Sequence, residues 1–373
     1  MKWVFWGAAF LIAYTYAGYL GWLWLRARLW PWPVVRAQQE PNVSIVMVVR
    51  NEERWMESKL RNLMELDYPP ERCQIVVISD GSTDRTEAIL REHANNPRVQ
   101  VVMNQLSRGK ASGLNDAISV AAGEVIVFTD CRQTVESGAI RLLMENFADT
   151  EVGSVSGALM LGDPESGESA AGMGLYWRIE KKIRELESES SSVVGATGAL
   201  YAVRRELLRC VPEGTILDDV YIPMQVVRQG KRVVFEPRAR AWDSPDLGAE
   251  REFARKVRTL SGNYQLLQLA PWLLGGENPV RFEFVSHKLL RLVVPFALAA
   301  ILITSTVLPG PVYRSILALQ ALFYGLSLLA VLHLSLGPVA RMADAALTFV
   351  VLNSAAAMAF VNFVTGRKTV WVR

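Results

Sequence analysis

The sequence predicts an α/β domain on a mostly parallel sheet, held between apolar helices at both ends of the chain. Three observations lead there. VIVFTDCR at 125–132 is a continuous apolar and β-branched run into Asp130, preceded by the Ala121-Ala122-Gly123 break. That is the pattern of a fully buried parallel strand. CQIVVISDGSTD at 73–84 repeats the pattern and ends in Asp80. Ligands of open α/β sheets sit beyond the carboxyl ends of such strands, so two carboxylates reach one edge of the sheet. The third observation is the apolar fraction, 51% of 373 residues, whose excess lies at the two termini.

Residues 3–25 carry no charge over a length that can cross a bilayer, which takes ~20 apolar residues. Trp3, Trp6, Trp22 and Trp24 sit toward the ends of that stretch, and no small-residue cleavage site marks it as a signal peptide. Arg26, Arg28 and Arg36 follow it, against Lys2 before it. The positive-inside rule then puts the N-terminus outside and the next domain in the cytoplasm. Pro31 and Pro33 predict a stiff linker.

From Pro41 to Trp242 short strands alternate with helices. SIVMVV (44–49) is a strand and 52–66 a helix; IVVIS (75–79) is the second strand, and Ser82 or Thr83 caps a helix running to His93. VQVVM (99–103), a helix at 111–121 and the Asp130 strand continue the alternation. SESSS (188–192) reads as an exposed loop. Near the C-terminus, 289–308, 315–336 and 343–364 each approach or exceed spanning length, punctuated by Pro309-Gly310-Pro311 and Gly337-Pro338. Four crossings leave the tail GRKTVWVR (366–373) outside, while its basic charge favours the cytoplasm, and both placements stay open. The expected parts are an N-terminal helix (1–28), the α/β domain (37–245), interfacial helices (246–288) and about three membrane helices (289–373).

Composition narrows the function classes. A net charge of +3 gives no broad nucleic-acid patch. Cys73, Cys131 and Cys210 are widely spaced and odd in number, which offers neither a disulfide framework nor a zinc site.

Several short motifs follow one another. Pro41-x-Val43-Ser44-Ile45 leads to Asn51-Glu52-Glu53; Asp80-Gly81-Ser82-Thr83-Asp84 comes next, then Gly109-Lys110-Ala111-x-x-Leu114-Asn115 and Asp130-Cys131-Arg132. GATGALYAVRR (195–205), LDDVYIP (217–223) and Arg255-Lys256-Val257-Arg258-Thr259 complete the series. Each has a plainer reading alone: acidic residues at helix starts, a solvated lysine, a tight turn, a basic helix drawn to anionic lipid. In this order they resemble the inverting, membrane-bound family 2 glycosyltransferases, the group of cellulose, hyaluronan and chitooligosaccharide synthases. The resemblance covers almost the whole chain.

That resemblance implies a GT-A type, Rossmann-like nucleotide-sugar domain with transmembrane helices at both ends, in the plasma or inner membrane. It implies nucleotide-sugar contacts from Asn51, Glu52, Asp80, Lys110, Asp130, Arg255 and Arg258, with Asp80 reading the base. Asp130 would hold Mg2+ or Mn2+, which needs few protein carboxylates when substrate phosphates complete its shell. Thr197 and Gly198 fall on the acceptor side. Asp219 takes the place of the general base and Asp218 supports it. A UDP-linked donor is the family's commonest case, and the acceptor is a saccharide or is lipid-linked. The chain departs from the pattern at Arg50 for tyrosine, Arg132 for the second metal-site aspartate, Arg255 for glutamine and Thr259 for tryptophan. Arg132 would either leave Asp130 alone with the metal or act as a phosphate clamp. The lost tryptophan weakens processive synthesis. Other readings are transfer to polyprenyl phosphate or diacylglycerol, a scaffold without turnover, and a transporter, which needs more spanning segments.

Overall fold

The computed structural model describes residues 1–162, 175–243, 249–332 and 339–367. Gly337-Pro338 and the basic tail from Lys368 lie outside them. The chain divides into two compact units. One comprises 26–246 with 269–281, the other 1–25, 247–268 and 282–373.

The first unit is the α/β domain. In chain order it holds, after α1 (Lys2–Ala13), a π turn and α2 (Tyr19–Leu29), the elements β1 (Val43–Val49), α3 (Glu53–Met64), β2 (Cys73–Asp80), α4 (Thr86–His93) and β3 (Val99–Asn104). Then come α5 (Lys110–Val120), β4 (Val125–Thr129), β5 (Thr134–Val135), α6 (Ala139–Glu145), β6 (Val152–Leu161) and α7 (Leu175–Ser190). β7 (Leu200–Arg204), α8 (Asp218–Arg228) and β8 (Arg232–Asp243) finish it. The eight strands form one sheet in the order β3-β2-β1-β4-β7-β6-β8-β5. β3, β2, β1 and β4 run parallel, β7 is antiparallel to both neighbours, and β8 returns parallel to β6. The expected apolar strands are fully covered: every residue of β1 and β4 is buried. On α3 the helical spacing of Met56, Leu60 and Leu63 puts one apolar face on the core. Parallel β2 and β4 end at the same sheet edge, which is where Asp80 and Asp130 stand.

The expected stiff linker after Pro31 and Pro33 has no helix or strand over 31–42 and is held along its length. Trp32 N–H donates to the Glu189 carbonyl (2.7 Å), the Arg232 guanidinium stacks on the Trp32 ring (4.2 Å), and Ala37 N–H donates to the Glu145 carbonyl (3.2 Å). Two expectations change. The four serines of SESSS are buried, and Glu189 alone of the five is exposed. Among the described residues no strand lies beside the 232–235 edge of β8 opposite β6, so short hydroxyls stand in: Ser188 Oγ accepts from Phe235 N–H (2.9 Å) and Ser192 Oγ from Val233 N–H (3.1 Å). α4 is capped by Asp84, not Ser82 or Thr83. Asp84 Oδ1 accepts the Thr86 N–H (3.0 Å), while the other two residues bond to Asn51.

The second unit gathers the apolar helices. It contains α1, α9 (Ala249–Leu269), α11 (Leu290–Val307), α12 (Pro311–Val331) and α13 (Ala340–Val364), with the short α10 (Arg281–Phe284) leading into α11. Among the described residues four helices are long and apolar enough to cross a membrane: Lys2–Leu29, Arg281–Val307, Pro311–Val331 and Met342–Val364. Phe5 meets Tyr313 edge-on at 4.8 Å, and Tyr264 stacks on Phe363 at 5.0 Å.

Candidate active site

The loops leaving β1 and β2 are latched together. Asn51 has φ +56°, a left-handed conformation that asparagine tolerates, and its Oδ1 accepts the Thr83 N–H (2.8 Å). Glu53 Oε2 accepts Arg85 N–H (3.0 Å) while Asp84 Oδ2 accepts Glu53 N–H (3.1 Å), so α3 and α4 cap one another. Asn51 is therefore committed to holding two loops in place. Glu52 faces inward, where burial first and then Asp130 raise its carboxyl above the ordinary range, with Arg132 opposing.

Asp80 is buried and anchors the glycine-rich loop. Its carboxylate accepts from Ser107 Oγ (2.7 Å), Arg108 N–H (2.8 Å) and Gly109 N–H (2.9 Å). Gly81, at φ +65°, permits that approach, since a Cβ there would lie 2.6 Å from the Ser107 nitrogen. The loop delivers Lys110 as the first residue of α5. Its ammonium stands 3.0 Å from Asp130 Oδ1 and 3.3 Å from Asp218 Oδ2. Burial works against this charge, but Asp130, Asp218 and Asp219 outweigh it and hold the ammonium above the usual lysine range. Lys110, Asp130, Asp218 and Asp219 thus share one cradle, to which Glu52 is electrostatically coupled through Asp130.

Pro223 organises the far side. As the sixth residue of α8 it brings no N–H to the Asp219 carbonyl four residues earlier. That carbonyl instead accepts Ala196 N–H (2.6 Å), which stitches the 195–198 loop to the start of α8. Thr197 N–H donates to Ser156 Oγ (2.9 Å), and Arg184 of α7 donates to Thr197 Oγ1 (2.6 Å). Gly198 lies against the expected base: a Cβ there would sit 3.2 Å from Asp219 Oδ2. Sequence reasoning missed Pro223, Arg184 and two others. Tyr201, stacked on Phe128 at 4.6 Å, is fully buried with its hydroxyl unbonded in the field of Asp218, Asp219 and Asp130, and burial pushes it well above its ordinary pKa. Lys59 is buried beneath the Asp130 turn, donating to Thr129 Oγ1 (2.9 Å) and the Gln133 carbonyl (2.6 Å). A lysine inside the apolar face of α3 was the available signal for the last.

For a divalent cation the donor set is sparse. Asp130 is part-exposed at the strand end, but position 132 is an arginine whose guanidinium pairs with buried Asp243 of β8. Among the described residues no three His, Cys, Asp or Glu side chains group to hold a metal. One carboxylate suffices for Mg2+ or Mn2+ only where substrate phosphates supply most of the shell, and Asp130 fits that case. Cys131 is buried, and burial followed by Glu52 raises its thiol, keeping it from acting as a thiolate ligand. Arg255 and Arg258, three residues apart on α9, share a helix face in the other unit.

Residues 44–211 match the model described as Glycosyl transferase family 2. The chain carries a family 2 glycosyltransferase domain. The match stops just before α8, so Asp218 and Asp219 lie beyond it. Poly-beta-1,6-N-acetyl-D-glucosamine synthases of Staphylococcus epidermidis and Staphylococcus aureus (strain COL) are 24% identical over 244 residues, 63% of this chain. The chain covers 58% of the length of these relatives. A mannosyltransferase from Pyrobaculum calidifontis, solved in complex with GDP-Man and Mn2+, superposes with a TM-score of 0.73 at 23% identity, over 97% of this chain and 99% of that one. This likeness establishes a GT-A type fold for the glycosyltransferase domain together with its apolar helices.

Proposed function

We propose that the protein is an inverting glycosyltransferase of the membrane's cytoplasmic face. It moves a hexose or N-acetylhexosamine from a nucleotide sugar, UDP-linked in the first instance, to a saccharide or lipid-linked acceptor, forming a β-linkage. The observation that carries the reading is the Lys110 cradle. One half-buried ammonium lies within 3.3 Å of carboxylates from two separate elements, Asp130 and Asp218, beside Asp219. In this reading Asp219 accepts the proton of the acceptor hydroxyl, whose oxygen attacks the anomeric carbon from the face opposite the leaving group. The bond from that carbon to phosphate oxygen breaks, and its electron pair leaves with the nucleoside diphosphate. Lys110 and the basic pair Arg255 and Arg258 neutralise the departing charge. Asp130 would hold the divalent cation, which when bound offsets diphosphate charge. Asp218 keeps Lys110 in place, and Asn51, Glu52 and Asp80 shape the nucleotide pocket. The names of the relatives, polysaccharide synthases and a mannosyltransferase, support glycosyl transfer to a saccharide.

The test is nucleoside diphosphate release by membranes containing the full chain, given UDP-Glc, UDP-GlcNAc or GDP-Man with Mg2+, Mn2+ or chelator. Release from one donor is expected, falling about 10^2–10^4-fold in Asp219→Asn while nucleotide binding stays within a few fold. Near-wild-type turnover in that variant removes the base assignment. Failure of every nucleotide to bind removes the transferase reading.

A further inference from the structure

On the apolar face of α3, in line with Met56, Leu60 and Leu63, stands a lysine to which the transfer reaction assigns no role. Lys59 is buried, and its ammonium donates to Thr129 Oγ1 (2.9 Å), just before Asp130, and to the Gln133 carbonyl (2.6 Å), three residues after it. It grips both sides of the turn that presents Asp130 at the sheet edge. We propose that Lys59 is a positioning residue for the divalent cation, fixing the Asp130 carboxylate where metal and diphosphate meet, an assignment that rests on the transfer reaction above with Asp130 as metal ligand.

Three observations carry this. The first is the direction of the bonds. An ammonium only donates, so the Thr129 hydroxyl accepts from it and spends its own proton on the Ala199 carbonyl at 2.9 Å. Ala199 adjoins Gly198, which packs against Asp219, so one lysine ties the Asp130 turn to the loop beside the base. The second is that the flanks of the turn are anchored too. Asn62, one turn along α3, donates to the Val135 carbonyl (2.8 Å) and accepts Val135 N–H (2.9 Å), while Arg132 and Gln133 both donate to Asp243. Asp130 thus projects from a segment held at Thr129, Arg132, Gln133 and Val135. The third is the sparse donor set. Two protein carboxylates would share the task of placing a cation, but an arginine paired with Asp243 occupies position 132. The placement of Asp130 then sets the affinity, and groups that orient a lone ligand matter most. Packing does not select a lysine here, because methionine has the same reach without the cost of burying a charge. Charge alone has the opposite sign: a buried ammonium repels a nearby divalent cation, so its removal with the geometry kept would tighten metal binding.

The experiment uses the full chain in phosphatidylcholine nanodiscs. Calorimetry with UDP and GDP, each with Mn2+ and with chelator, identifies the nucleotide that binds. Mn2+ uptake at a saturating level of that nucleotide is then read from the loss of the free-ion EPR signal, against a blank of nucleotide alone. In Lys59→Met the Mn2+ affinity of the complex is expected to fall about tenfold or more, while a thermal midpoint at pH 7 no lower than that of the wild type certifies the fold. Thr129→Val removes one of the two acceptors and keeps the lysine, so it should lower Mn2+ affinity by a smaller factor. It decides the question alone if Lys59→Met is destabilised. Mn2+ affinity unchanged or raised in the folded variants overturns the assignment. Nucleotide binding by the wild type that Mn2+ does not alter removes Asp130 as metal ligand, and the role of Lys59 with it, and leaves the transferase standing. Absence of nucleotide binding from the wild type removes both.

Discussion

Single side chains carry most of the electrostatic tension in this domain, and Lys59 is the clearest case. It is fully buried on α3, and burial lowers its pKa to about 8 despite the opposing pull of Cys131 and Asp130. Its ordinary value is 10.5, so the folded state binds this proton less tightly than the unfolded state does. Below about pH 8 the ammonium is charged in both states, and burying it costs on the order of 3 kcal/mol. Between 8 and 10.5 the folded state releases the proton first, so stability from this group rises with pH. Thermal unfolding of the full chain in detergent, compared with Lys59→Met from pH 7 to 10, should show the difference shifting toward the wild type as pH rises. A difference independent of pH would assign the titration elsewhere. At this scale the sequence was partly legible. Asp80, Lys110 and Asp130 stood in recognisable motifs, and the structure places them at one sheet edge. That Asp80 would be engaged by three donors from the 107–109 loop was not readable, because spacing says nothing about which way a carboxylate faces. Tyr201 was hidden for a similar reason: in an apolar strand a tyrosine looks like core.

Elements were easier to read than their ends. Buried strands announce themselves by uninterrupted apolar runs: the observed β1 and β3 extend the expected spans by one residue each, β2 by three, and β4 ends at Thr129, just before Asp130. What patterning could not supply was the tertiary use of polar segments. SESSS has the composition of a loop, yet two of its hydroxyls replace a missing strand along β8. Pro223 is the instructive residue in α8. Inside a helix proline costs about 3 kcal/mol, and here it leaves the Asp219 carbonyl for the Ala196 N–H. Pro223→Ala would restore an N–H that competes for that carbonyl and loosen the 195–198 loop. The expected outcome is a Tm unchanged or raised with kcat lowered about tenfold and nucleotide affinity retained. A variant with wild-type kcat would reduce the proline to an accident of sequence.

Across the whole molecule, the partition into an α/β domain and a set of spanning-length helices followed from where charge is absent, because a bilayer and a buried sheet exclude charge in different periodicities. Which side of the membrane the domain occupies rests on Arg26, Arg28 and Arg36, and the chain carries its own reporter. Cys210 is exposed, whereas Cys73 and Cys131 are buried. A membrane-impermeant maleimide should label Cys210 only after cells are permeabilised, with Cys210→Ser as the blank; labelling of intact cells would place the domain outside. The pairing of Arg132 with Asp243 ties the two positions to one another. Arg132→Asp alone would set a second carboxylate against Asp243, while altering Asp243 alone would strand the guanidinium. Breaking a buried pair from either end costs on the order of 3 kcal/mol. Neither single change is neutral, so positions 132 and 243 are exchangeable only as a pair.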